Sequence, residues 1–128
     1  MVKLNYAHLC DHASLSKDGK VNILGVFRNI NALNFPAIHS QMYVVTNVSV
    51  DESRNYVQVI NLIKEDSPDE IIASARANME ATSGELNLGF LGKFNNIRFE
   101  TPGRYKFQIY VDNDLIEEVP LRLDLLPG

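Results

Sequence analysis

The chain has 128 residues, 45% hydrophobic and 22% charged, which excludes a disordered protein and favours a single domain, 1–128, with a sizeable core. Its net charge is −4 and its basic residues are scattered, which argues against a nucleic-acid partner. No apolar run approaches the ~20 residues that span a bilayer, and a lone cysteine cannot form an internal disulfide.

The first residues, Met1-Val2-Lys3-Leu4-Asn5-Tyr6, show no long apolar run behind a charged segment. A lone thiol fits a reducing compartment. A cytoplasmic protein with no membrane partner is expected.

In chain order, residues 4–16 read as a first strand and Asp18-Gly19 as a turn. Residues 20–30 read as a second strand, and Phe35-Pro36 breaks the pattern. Residues 41–51 and 56–64 are strands separated by a polar turn, and a second polar turn holds Pro68. In residues 70–79, Ile71, Ala73, Ala75, Ala77 and Met79 alternate with Ser74, Arg76 and Asn78. Alanine favours helix, but the period of two and the flanking strands predict a strand. Ser83, Gly84 and Glu85 form a loop, and residues 86–99 carry one or two strands broken near Gly92.

The last quarter is a hairpin. Tyr105, Phe107, Ile109 and Val111 alternate with Arg104, Lys106 and Gln108, while Val119, Leu121, Leu123 and Leu125 alternate with Pro120, Arg122 and Asp124. Both apolar sets are odd-numbered, so paired positions must sum to an even number. This predicts Phe107 opposite Val119 and Tyr105 opposite Leu121. The implied turn is odd: Asp112, Asn113 and Asp114, with Asn113 or Asp114 left-handed. Pro120, lacking an N–H, suits an edge. The spacing as a whole predicts an all-β, immunoglobulin-like sandwich of about eight strands, with a jelly roll as the alternative.

Several strands are apolar on both faces. Leu24 and Val26 oppose Val21, Ile23 and Phe27; Tyr43 and Val45 oppose Met42, Val44, Val48 and Val50; Tyr56, Ile60 and Leu62 oppose Val57, Val59 and Ile63. A sheet exposed on one side should alternate with polar residues. Either loops such as 31–39 cover the second face, or it is a subunit interface. Leu24, Val26, Tyr43, Val45, Tyr56 and Ile60 are the interface candidates. Tyr43, Tyr56 and Tyr110 are candidates for ligand contact or rim packing.

Signals for chemistry are sparse. His8, Cys10 and His12 are spaced two apart and share a strand face, which imidazole and thiolate could use to hold a metal. A fourth ligand would come from elsewhere, such as His39 or Asp11, and a small core cysteine is the simpler account. Gly89-Phe90-Leu91-Gly92-Lys93-Phe94 lacks the first glycine and the Ser or Thr of a phosphate loop, so its glycines mark a bend or bulge. Two acidic turns, Glu65, Asp66, Asp69, Glu70 and Asp112, Asp114, Glu117, Glu118, lack the EF-hand order and read as solvated charge. No nucleophile elbow or paired motif points to an enzyme or a cofactor.

Leu9-Cys10-Asp11 with Ala13-Ser14, the run Asp18-Gly19-Lys20-Val21-Asn22-Ile23-Leu24-Gly25-Val26-Phe27, Phe35-Pro36 near His39, and Pro102-Gly103-Arg104-Tyr105 with Val111-Asp112 carry a resemblance. Over nearly its whole length the chain resembles a family of small uncharacterised bacterial β-sandwich proteins. Asn113 stands where that family's turn glycine is expected. The resemblance implies the fold and a bacterial cytosolic or phage-related setting, and transfers no catalytic residue. It also implies that Cys10, Asp11 and Asn22 belong to the framework, with Asp11 hydrogen-bonding loop amides. Pro102-Gly103 followed by Tyr105 and Phe107 is similar to the late strands of immunoglobulin-like domains.

The expected function is a non-enzymatic protein-interaction or scaffold module, with a protein partner and self-association. The alternatives are a small metal- or ligand-binding protein using the His8, Cys10, His12 face, and recognition of a small molecule or sugar by loop tyrosines.

Overall fold

The computed structural model describes residues 1–127. Their regular elements are nine strands: β1 (Lys3–Leu15), β2 (Val21–Val26), β3 (Asn29–Ala32), β4 (Ala37–Ser49), β5 (Asn55–Lys64), β6 (Ser67–Glu80), β7 (Asn87–Phe99), β8 (Gly103–Val111) and β9 (Asp114–Leu125). A four-stranded sheet runs β2-β1-β4-β7 and a five-stranded sheet runs β3-β9-β8-β5-β6. The two sheets pack together, so the all-β sandwich read from the sequence is the fold.

Alternation sets the core. Tyr105, Phe107 and Ile109 of β8 and Val119, Leu121 and Leu123 of β9 are buried against Leu9, Met42, Val44 and Phe94 of the other sheet. Phe94 and Phe107 meet edge to face across the layers, with ring centres 5.2 Å apart. Burying side chains of this size contributes about 1.5–3 kcal/mol each. The Tyr105 hydroxyl donates to the Thr101 carbonyl at 2.6 Å, a bond back to the chain a few residues upstream like that of an immunoglobulin tyrosine corner.

The ninth strand arises because the predicted second strand, 20–30, divides. The Phe27 amide donates to the Leu9 carbonyl in the four-stranded sheet. The carbonyl of the next residue, Arg28, accepts from the Arg122 amide in the five-stranded sheet. The chain changes layers between these two residues. β3 then runs parallel to β9, with Asn29 opposite Arg122 and Ala32 opposite Leu125.

Other boundaries differ in smaller ways. β4 starts at Ala37, directly after a cis Phe35–Pro36 peptide, and not at Gln41. β6 is a strand, and its Ala73 and Ala75 pack against the core. β7 runs unbroken through Gly92, where a Cβ would stand 3.4 Å from the Ile60 side chain and the Val44 carbonyl. The irregularity in β7 lies at Asn96, with φ 51°, between inward-facing Phe94 and Ile97.

The final hairpin has the predicted register by a different route. Phe107 is opposite Val119 and Tyr105 opposite Leu121. The turn, however, holds only Asp112 and Asn113, both left-handed at φ 49° and 70°, because Val111 pairs with Asp114. Positive φ at both central residues is the type I′ signature. Pairing then shifts from Tyr110–Leu115 to Ile109–Glu117, leaving Ile116 as an extra residue. That bulge restores the parity which an odd turn was expected to supply.

Candidate functional site

The sequence candidates gather on one sheet. Leu9, Met42 and Val44 face the other layer. Alternation therefore turns Cys10, Tyr43 and Val45 to the opposite, outer face of the four-stranded sheet. Registers align them: His8 lies opposite Val45 and Cys10 opposite Tyr43 on β4, while Val26 lies opposite Cys10 and Leu24 opposite His12 on β2.

Aromatic rings organise this face. Tyr6 and His8 stack with centres 5.4 Å apart, and His12 meets Tyr43 edge-on at 5.5 Å. The Lys93 ammonium stands 6.0 Å from the Tyr43 ring centre. Beneath them Cys10, Ala13 and Val45 form a small buried cluster, with Tyr6, Tyr43, Val21, Ile23 and Leu91 packed on it. This cluster is what covers much of the second apolar face, in place of the 31–39 loop. Leu24 and Val26 remain uncovered, at 63% and 56% exposure.

A polar patch borders the rings. The Asn5 side-chain amide donates to Asn47 Oδ1 at 2.8 Å and to Ser49 Oγ at 2.7 Å. The Ser49 hydroxyl donates to Asn87 Oδ1 at 2.7 Å. The bonds tie β1, β4 and β7 together. Aromatic and aliphatic groups beside a hydrogen-bonded polar rim is the anatomy of a contact surface.

Two interface candidates lie elsewhere and a third is buried in place. Tyr56 and Ile60 face inward into the buried core, and Val45 has no exposed surface. A strand apolar on both sides does not declare which side is inner, which is why the sequence misplaced Tyr56 and Ile60. Tyr56 instead carries the Arg54 guanidinium 3.8 Å above its ring and donates its hydroxyl to the Glu52 carbonyl. Tyr110 is half-buried. Tyr6, Leu91 and Lys93 were not singled out, although Tyr6 shares the parity of His8, Cys10 and His12.

His8, Cys10 and His12 separate by environment, and no three His, Cys, Asp or Glu side chains among the described residues converge to hold an ion. Cys10 has no exposed surface, and desolvation, aided by the negative charge of Asp11, pushes its thiol up. Burial and the raised pKa both disfavour the thiolate that ligation or attack requires. Asp11 packs against Gly25 and makes no loop-amide bond among the described residues. The acidic turns are internally satisfied at two points: Asp112 binds the Val57 amide and Arg54, and Glu118 pairs with Lys106 at 2.9 Å.

No helix of the described residues is long and apolar enough to cross a membrane. No curated protein matches the sequence. A family model described as a family of unknown function, DUF6941, matches residues 5–124, and the chain belongs to that family.

Proposed function

We propose that this member of a family of unknown function is a non-enzymatic interaction module that pairs with a second copy of itself along β2 and the adjoining aromatic face. The observation that carries the reading is the β2 edge. Its six residues, Val21 to Val26, contain no charge and no proline, and Leu24 and Val26 are more than half exposed. Edge strands are ordinarily guarded by charge or proline against pairing with another chain. Of the other edges, β6 carries Pro68, Asp69, Glu70 and Arg76 and β7 carries Lys93 and Arg98, while β3, also uncharged, is only four residues long.

A second copy is the occupant that this edge favours. Two uncharged strands related by a two-fold axis meet with no like-charge cost, and each contributes the same patch. Val21 to Leu24 supplies the pairing segment, ahead of the left-handed Gly25. Tyr43, His12 and Tyr6 extend the contact across the sheet. The proposal sets the module in a bacterial cytoplasm, a setting supported by its lone buried cysteine.

Light scattering at micromolar concentration tests it. The expected mass is twice 14.4 kDa, falling to 14.4 kDa in Leu24→Asp. A wild-type mass of one chain contradicts the proposal.

A further inference from the structure

On the opposite side of the molecule, the outer face of the five-stranded sheet carries a row of arginines. β8 and β9 turn their odd-numbered residues inward, so Arg104 and Arg122 point out. The two are direct cross-strand partners. Arg28 joins them through the layer change, since its carbonyl accepts from the Arg122 amide. Together with Asn29, Glu65, Pro120, Leu121 and Asp124 they line a groove of about 700 Å³. That volume is within the range of small-molecule sites.

Like charges directly opposite on neighbouring strands are destabilising. The groove does little to relieve this. Arg122 is tied to Asp124 at 2.9 Å. Among the described residues Arg28 and Arg104 have no ion-pair partner, and Glu65 reaches Arg104 only through its backbone amide, which donates to the Arg104 carbonyl. Three guanidiniums against the carboxylates of Glu65 and Asp124 leave the groove one excess positive charge, in a chain of net charge −4. Guanidinium presents a planar fork that matches phosphate and carboxylate oxygens two at a time. Pro120, exposed on the outer side of β9, gives the groove an apolar edge beside the charges.

We propose that this groove binds a small multivalent oxyanion, held by Arg28 and Arg104 with Arg122 completing the cradle. The missing countercharge is the ligand's. The three arginines lie on β8, β9 and the layer change, outside the proposed pairing segment Val21 to Leu24.

The test is an NMR titration with inorganic pyrophosphate in one arm and citrate in the other, at fixed ionic strength. The expected result is a saturable shift of the Arg28, Arg104 and Arg122 side-chain signals and the neighbouring amides in at least one arm. The arm that saturates at lower concentration identifies phosphate or carboxylate as the head group. Arg104→Gln and Arg28→Gln each weaken binding by about tenfold or more, as loss of a charge-assisted contact does, whereas Lys93→Gln on the other sheet leaves it unchanged. Because Arg104→Gln relieves a like-charge pair, its melting temperature without ligand stays level or rises. No saturable shift in either arm, or binding that survives both arginine substitutions, overturns the proposal.

Discussion

Thr46 and Gln58 meet inside the sandwich, where the Thr46 hydroxyl donates to Gln58 Oε1 at 2.6 Å and both residues have no exposed surface. Thr46 belongs to β4 and Gln58 to β5, so the bond spans the two sheets. The remaining Gln58 amide points at Met79 Sδ, 3.5 Å away. Thr46→Val keeps the shape and strands the Gln58 oxygen in an apolar core. The expected cost is about 1–3 kcal/mol by urea unfolding. Adding Gln58→Leu removes the orphaned group and recovers part of that loss. A Thr46→Val protein as stable as wild type contradicts this assignment.

Gly25 and Asp11 press together on the β1–β2 ribbon. A Cβ at Gly25 would stand 2.5 Å from Asp11 Oδ2, and the residue has φ 71°. Gly25→Ala therefore meets both a clash and a left-handed backbone, and is expected to cost about 1–3 kcal/mol. Asp11→Ala in the same chain relieves the clash and leaves the backbone term, so the double variant falls between. Thermal melts of the three proteins check the order.

Acid should weaken the β5–β8 corner through Asp112. The hydrogen bond from Arg54, then that from the Val57 amide, holds its carboxyl below the ordinary carboxylate value. A carboxyl depressed in the folded state stabilises above its unfolded value of about 3.9 and loses that contribution as pH falls through the folded value. Asp112→Asn, which keeps a residue tolerant of the left-handed turn, should be less stable than wild type at pH 7. The gap should close as the pH falls from about 4. Both partners are well hydrated, so added salt should also narrow the gap. A pH-independent difference contradicts the role.

Cys10 is expected to react as a buried thiol. With no exposed surface and a raised pKa, it should resist alkylation in the folded protein at pH 8 and react at once in urea. Rapid modification of the native protein would reopen the His8, Cys10, His12 face to thiolate chemistry.

What the sequence revealed depended on how local the cause was. Parity in Tyr105 to Leu123 fixed the register of the last hairpin, because a one-residue slip would expose a whole apolar set. The turn was misread because a bulge at Ile116 has the same effect on parity as a third turn residue. The run from Val21 to Ile30 looked like one strand, since apolar residues persist while the chain changes sheets; the parallel pairing of β3 with β9 has no local pattern. On the candidate face, His8, Cys10, His12, Tyr43, Leu24 and Val26 were found by alternation alone. Tyr56 and Ile60 were misassigned because only sheet packing decides between two apolar sides. The arginine row was invisible: Arg28, Arg104 and Arg122 are brought together by strand order, not by spacing.

Hydrogen exchange at β2 tests self-pairing most directly. As the protein is taken from low to high micromolar concentration, the amides of Val21 to Leu24 should gain protection while those of the β6 and β7 edges stay unchanged. Exchange along β2 that does not depend on concentration, or protection that appears at β7 instead, would contradict the account.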